Sequence, residues 1–269
     1  MKKGLLCCTM LFIAASAIAQ GLYTMSKMEG GMMGGRTSES YLIPKKFKVV
    51  EHQTADAAAS SIMIIRLDKE VVWTIDPLKR TYSEMTFGEI EGMMKKASGK
   101  MDAAMEKMKK EMAGMSDEQR KMVEQMMGNK MPGMQANSAP VRVENTGERK
   151  TISGFSCTKY VAKQGDNTIM TLWTTRDVRG FDELRKDWEE FSRRWAAMMP
   201  RFGKEMAETY KQIEGFPIQT DLGHGVTTTV TKVERRATPA SEFEIPSGYT
   251  KVESDLKKGM KEMDEENND

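Results

Sequence analysis

The sequence predicts an α+β fold in which a curved antiparallel β-sheet carries helices on its concave side. Three observations lead there. Short segments rich in β-branched and aromatic residues recur at even spacing, with turn chemistry between them. Two blocks of apolar residues at helical spacing interrupt these segments. Neither block is flanked by a linker long enough to make it a separate domain, so both are read as insertions between neighbouring strands of one sheet.

In chain order, residues 21–28 form a first strand, and Gly30, Gly31, Gly34 and Gly35 make a flexible connection around two methionines. From Tyr41 the pattern turns to β, with strands expected at 47–50, 62–65, 71–75 and 81–85. Asp68-Lys69 and Asp76-Pro77 provide the turns of a meander. Thr86-Phe87-Gly88-Glu89 reads as a capping box opening a helix. Ser116-Asp117-Glu118-Gln119, after Gly114, reads as a second box. With Gly99 it argues for short helices folded back on the sheet across an insertion at 87–134. Strands return at 141–143, 154–161 and 169–174. A second helix is capped by Asp182, carries Leu184, Trp188, Phe191 and Trp195 on one face, and is kinked or split at Pro200. A last hairpin covers 217–233 and turns at Gly223-His224-Gly225. Residues 253–269 read as a charged, disordered tail.

The address comes from the first nineteen residues. Lys2 and Lys3 precede an apolar stretch over 4–15, and Ala17-Ile18-Ala19 has the small-x-small pattern of a cleaved signal peptide. Cleavage before Gln20 leaves a domain at 20–252 and the tail. The apolar stretch is short for a membrane span and no second one follows, so no transmembrane span is expected after cleavage. Cys7 and Cys8 lie near its start, unlike the cysteine of a lipoprotein signal. The leader takes two lysines and no acid from the 41 basic and 39 acidic residues, leaving the charges balanced, which argues against nucleic acid as a partner. Of three cysteines only Cys157 then remains, so no internal disulfide forms. Cys157 is read as a small buried strand residue in preference to a reactive thiol.

Four stretches, Thr74-Ile75-Asp76-Pro77-Leu78-Lys79-Arg80-Thr81-Tyr82-Ser83-Glu84-Met85, Gly147-Glu148-Arg149-Lys150-Thr151-Ile152-Ser153-Gly154-Phe155-Ser156-Cys157-Thr158-Lys159-Tyr160, Gly215-Phe216-Pro217-Ile218 and Phe243-Glu244-Ile245-Pro246-Ser247-Gly248-Tyr249, resemble the signature segments of a family of exported bacterial proteins. That family is catalogued as a domain of unknown function and is related to the LolA-like lipoprotein carriers. The resemblance runs from about Tyr41 to Val252. It implies an unclosed half-barrel whose hollow is plugged by helices and, in the carriers, holds acyl chains. It implies a periplasmic or secreted location and brings no catalytic residues.

Enzymatic signatures are missing from the sequence. There is no Gly-x-Ser-x-Gly elbow, no His-Glu-x-x-His, no paired-cysteine motif and no phosphate-cradling loop. His52 and His224 are the only histidines. No catalytic residue, metal site or cofactor is therefore assigned.

The distinctive feature is methionine. Twelve of the chain's 26 methionines lie within residues 93–134, and Met94, Met101, Met108, Met115 and Met122 fall seven apart. Apolar residues at helical spacing usually pack on a core, yet Met suits an adaptable surface better than a rigid one. The reading adopted is a lid over an apolar cavity that binds a lipid or other apolar ligand. Met101, Met105, Met108 and Met112 would line it together with Trp188, Phe191 and Trp195. Two alternatives are a soft-metal site for copper or silver, using Met105, Met108, Met112 and Met115, and a docking face for an envelope protein partner.

Overall fold

The computed structural model describes residues 18–31, 34–114, 116, 140–197, 211–223 and 225–265. Strands β1 (Ile18–Glu29), β2 (Thr37–Ile43), β3 (Lys46–His52), β4 (Ala59–Arg66), β5 (Val71–Asp76) and β6 (Thr81–Thr86) form one meander. Strands β7 (Val141–Ile152), β8 (Phe155–Gln164), β9 (Asn167–Thr175), β10 (Phe216–Asp221) and β11 (Thr227–Pro239) form another. With the short β12 (Thr250–Lys251), the described strands make one sheet ordered β12-β6-β5-β4-β3-β2-β1-β11-β10-β9-β8-β7. Every pairing is antiparallel except β12 on β6. The two meanders meet where β1 pairs along its whole length with β11, from Ile18 opposite Pro239 to Glu29 opposite Thr227.

The helices are α1 (Phe87–Ala113), α2 (Phe181–Ala197) and α3 (Asp255–Glu265). Only α2 connects neighbouring strands, β9 and β10. The expectation that both helical blocks join neighbours is corrected for α1: it leaves β6 near one end of the sheet, and the chain resumes at β7 on the opposite edge. The first block therefore links the two ends of an open sheet. Thr86 and Glu89 do form the capping box, with the Thr86 N–H donating to Glu89 Oε2 at 2.8 Å and the Glu89 N–H to Thr86 Oγ1 at 3.1 Å. The helix passes Gly99 unbroken, because one glycine in a helix costs only about 1 kcal/mol. The second capping box and the Pro200 segment lie outside the described residues. Asp182 sits inside the first turn of α2 instead of capping it, where its charge complements the helix dipole. The tail is also corrected. Residues 255–265 are helical, with Ser254 Oγ accepting from the Lys257 N–H at 3.2 Å and Met260 buried.

The sheet is open and curved. Phe47 on β3 and Phe216 on β10 both lie against Trp188 of α2, at ring separations of 5.8 and 6.0 Å. β3 and β10 are four strand steps apart, about 19 Å in a flat sheet. Their rings can be no more than about 12 Å apart, so the sheet must curl towards α2. That inner core joins Leu22, Leu42, Phe47, Ile65 and Val72 of the first meander to Phe216, Ile218 and Val230 of the second, with Phe181, Leu184 and Phe191 from α2.

The first meander is buried on its other face as well, which explains the continuous run Ile62-Met63-Ile64-Ile65. Ile64, Trp73 and Ile75 pack against Phe243, which is fully buried, and against Ile245 and Tyr249. The Phe243–Tyr249 stretch thus clamps the outer face. Arg66 reinforces it: the guanidinium forks onto Asp68 at 2.7 Å, also meets Glu244, and donates to the Phe243 carbonyl.

Glu89 ties α1 to α3, since Lys257 Nζ reaches Glu89 Oε1 at 2.7 Å. The lysine bond first, then the Thr86 N–H, lowers the Glu89 carboxyl from 4.5 to about 2. A carboxylate depressed in this way stabilises the fold above its ordinary pKa, and the contribution disappears as pH falls towards the folded-state value. Urea unfolding of the protein and its Glu89→Gln variant should give midpoints that differ at neutral pH and converge between pH 4.5 and about 2.

Candidate functional site

Trp188 separates two cavities in the hollow. The inner one, about 200 Å³, runs between α2 and strands β1, β2, β10 and β11. Its walls include Leu22, Leu42, Phe47, Phe216, Ile218 and Val230, with Thr24, Ser26, Ser40, Thr220 and Thr228 at its other end. The outer one, about 250 Å³, has Leu172, Phe181 and Ile213 below a rim of charged α2 residues that includes Arg185, Glu189 and Arg193. Trp188 and Pro217 line both. α2 is held over the hollow by apolar side chains at positions 181, 184, 188 and 191, each contributing about 1.5–3 kcal/mol when fully buried. Lys45 N–H donating to Asp187 Oδ2 at 2.8 Å and the Arg235–Glu183 pair at 3.1 Å fix its register.

Of the residues expected to line a ligand site, Trp188 sits in the cavity walls, and Phe191 is buried against Phe47 at 4.3 Å, behind the wall. Trp195 belongs to α2, and Met101 and Met105 to α1, but their side chains lie outside the described residues. Met108 and Met112 are half-buried and line neither cavity; among the described residues they belong to none of the hydrophobic clusters. α1 reaches the core instead through Phe87, Ile90, Met93 and Met94, and Arg194 of α2 binds Glu91 at 2.9 Å while its guanidinium lies over the Phe87 ring. Sequence reasoning missed the strand residues of the cavity. Their signal was alternation: Leu22-x-Thr24-x-Ser26 and Ser40-x-Leu42 put every second residue on one face, turning from apolar to hydroxyl along it.

A second dense group of polar side chains lies on the opposite face. Glu39 Oε2 accepts from Tyr41 at 2.8 Å and Tyr23 at 3.0 Å, and Arg236 stacks 3.7 Å from the centre of the Tyr23 ring. Burial, then the bond to Glu39, pushes the Tyr23 phenol up to about 12 and raises Tyr41 also. Burial alone would raise Glu39, but the two phenol bonds outweigh it and lower its pKa. The two phenols together hold Glu39, and Arg236 packs on one of them. Cys157 is fully buried, its thiol pushed up by burial, and six strand steps from His52. His224 lies outside the described residues. Among the described residues, no three His, Cys, Asp or Glu side chains could hold a metal ion, and no helix is long and apolar enough to cross a membrane.

Fold and site together define an α+β protein with an open, curved sheet and a helix-roofed hollow. Residues 88–249 match the family described as Domain of unknown function (DUF4412), more than half of the chain, and the protein belongs to that family. The match takes in three of the four signature stretches and leaves 74–85 outside, although Tyr249 and Phe243 pack on Trp73 and Ile75 of the unmatched part. No curated protein matches the sequence. Among solved structures, the chain is similar to PNGF-II in a C2 crystal form, with 11% identity and a TM-score of 0.37 over 90% of this chain and 32% of that one. It is also similar to MucB, solved in complex with MucA(peri), with 8% identity and a TM-score of 0.35 over 87% of this chain and 57% of that one. The chain thus spans about a third of the first and somewhat over half of the second.

Since Met108 and Met112 stand apart from both cavities, the Met108→Leu, Met112→Leu double variant should keep its urea midpoint, with a stability change of about 0.5 kcal/mol or less. It should also take up an apolar fluorescent probe as the parent does.

Proposed function

We propose that this protein is an exported, non-enzymatic, LolA-like binder of an apolar or lipidic ligand, held without covalent attachment in the hollow beneath α2. The observation that carries this is the inner cavity: a concave site walled by Leu22, Leu42, Phe47, Phe216, Ile218, Val230 and Trp188, with no charged side chain in its lining. The leader pattern of residues 1–19, of which Ile18 and Ala19 also extend the end of β1, supports export. The hollow takes over from the methionine seam as the ligand's seat, and α2 is the element that roofs it.

Its size sets the expected affinity. A volume of about 200 Å³ holds roughly seven groups of water size, and burying that many methylenes gains roughly 5 kcal/mol. That corresponds to a dissociation constant of order 0.1 mM. A longer chain needs the neighbouring 250 Å³ as well, and the Trp188 indole is the partition between the two.

Native mass spectrometry of protein purified from its own envelope, followed by lipid extraction, tests the reading. A bound apolar molecule, or uptake of Nile red by ligand-free protein, is expected; ligand-free protein that takes up no probe contradicts it. Displacement of the probe by straight-chain alcohols should show a longer optimal chain for Trp188→Ala than for the parent, while Trp188→Phe keeps the parent's optimum.

A further inference from the structure

The inner cavity is polarised along the strands. On β1 the inward side chains run Leu22, Thr24, Ser26, and on β2 the facing positions run Leu42, Ser40, with Leu22 opposite Leu42 and Thr24 opposite Ser40. On β10 Ile218 is followed by Thr220, which is opposite Thr228 of β11, while Val230 of β11 is opposite Ser26. Each of the four strands therefore runs from apolar to hydroxyl in the same direction, with the change falling further along on β10 and β11, where Ile218 and Val230 are level with Ser26, than on β1 and β2.

Among the described residues none of these five hydroxyls has a hydrogen-bond partner within the protein, and the Thr24 oxygen stays accessible although the residue as a whole is only 6% exposed. Nearby side chains off the cavity do find partners: Gln219 donates to Thr229 at 2.9 Å. No charged group lines the cavity. The inward cation on β11, Arg235, is level with Leu22 at the apolar end and is held by Glu183 of α2.

We propose that this hydroxyl end is a recognition site for an uncharged, hydrogen-bonding head group, so that the ligand is a neutral amphiphile such as a long-chain alcohol or a monoacylglycerol and not a fatty-acid anion. The proposal rests on the hollow being the ligand site. Serine and threonine hydroxyls both donate and accept, and so match a hydroxyl or ester head. A carboxylate entering a site without a cation loses its hydration and gains no counter-charge. The alkyl chain would then lie towards Leu22, Leu42 and Phe47, with the head at Thr24 and Ser40, which are opposite each other.

The test is displacement of Nile red from the full protein by decane, decanol, monodecanoylglycerol and decanoate. Decanol and monodecanoylglycerol should displace at concentrations at least about tenfold below decanoate, and decanol at least about tenfold below decane, the factor expected of one or two net hydrogen bonds. In the Thr24→Val, Ser40→Ala variant the advantage of decanol over decane, each measured against that variant's own Nile red affinity, should vanish, and Thr24→Ser should restore much of it. The proposal is overturned if decanoate equals or beats decanol, or if decane equals decanol because the hydroxyls serve only bound water. It also falls if the variant keeps decanol's advantage. Failure of Nile red to bind the parent protein at all would instead sink the ligand site itself.

Discussion

The contact on which the structure depends is the seating of Trp188 between Phe47 and Phe216. Those rings belong to different meanders, so one side chain of α2 touches the inner faces of both sheet halves, whose strands pair with each other along β1 and β11. Strand twist favours curling, but twist alone does not set how far an open sheet curls. Packing against a helix of fixed diameter does. The same contact leaves space on either side of the indole, because a curved surface and a straight helix touch along a line. The two cavities are what remains beside that line.

The outer face is organised to keep the curl from opening. Phe243 is wedged behind the first meander, Arg66 is pinned by Asp68 and Glu244, and Tyr249 packs under Arg80. On the edge, β12 pairs with β6 for two residues, and on the other edge β7 carries Arg142, Glu144, Glu148 and Lys150, charges that discourage pairing with another chain. Close backbone approach matters at the cavity's hydroxyl end. A Cβ on Gly30, which has positive φ, would collide with the Gly225 carbonyl, so the β1 end can approach residue 225 there only because position 30 is glycine.

Much of this was legible in the sequence, because it rests on local signals. The strands from Phe47 to Met85 declare themselves through β-branched runs and Asp turns, and Thr86 with Glu89 marks the start of α1 to the residue. Cys157 reads as a buried strand residue and is one. What was not legible is long-range. Nothing local says that the chain after β6 resumes at the far edge, or that a tail as charged as 255–265 folds because Lys257 finds Glu89 and Met260 finds cover. The methionine run stands out by composition, yet the residues that build the cavity are ordinary: leucines, serines and threonines whose role comes from which face of a curled strand they occupy. The heptad spacing marks a helix face without specifying what lies opposite it.

The central claim is that the ligand's seat is the hollow beside Trp188 and not the methionine face of α1. An uncharged alkyl diazirine, photo-activated on the full protein and mapped by peptide mass spectrometry, measures this directly. The account predicts adducts on the α2 peptide containing Trp188 and on the β1 and β10 peptides containing Leu22 and Ile218. Labelling concentrated on residues 101–112 of α1, or spread evenly over the chain, would contradict it.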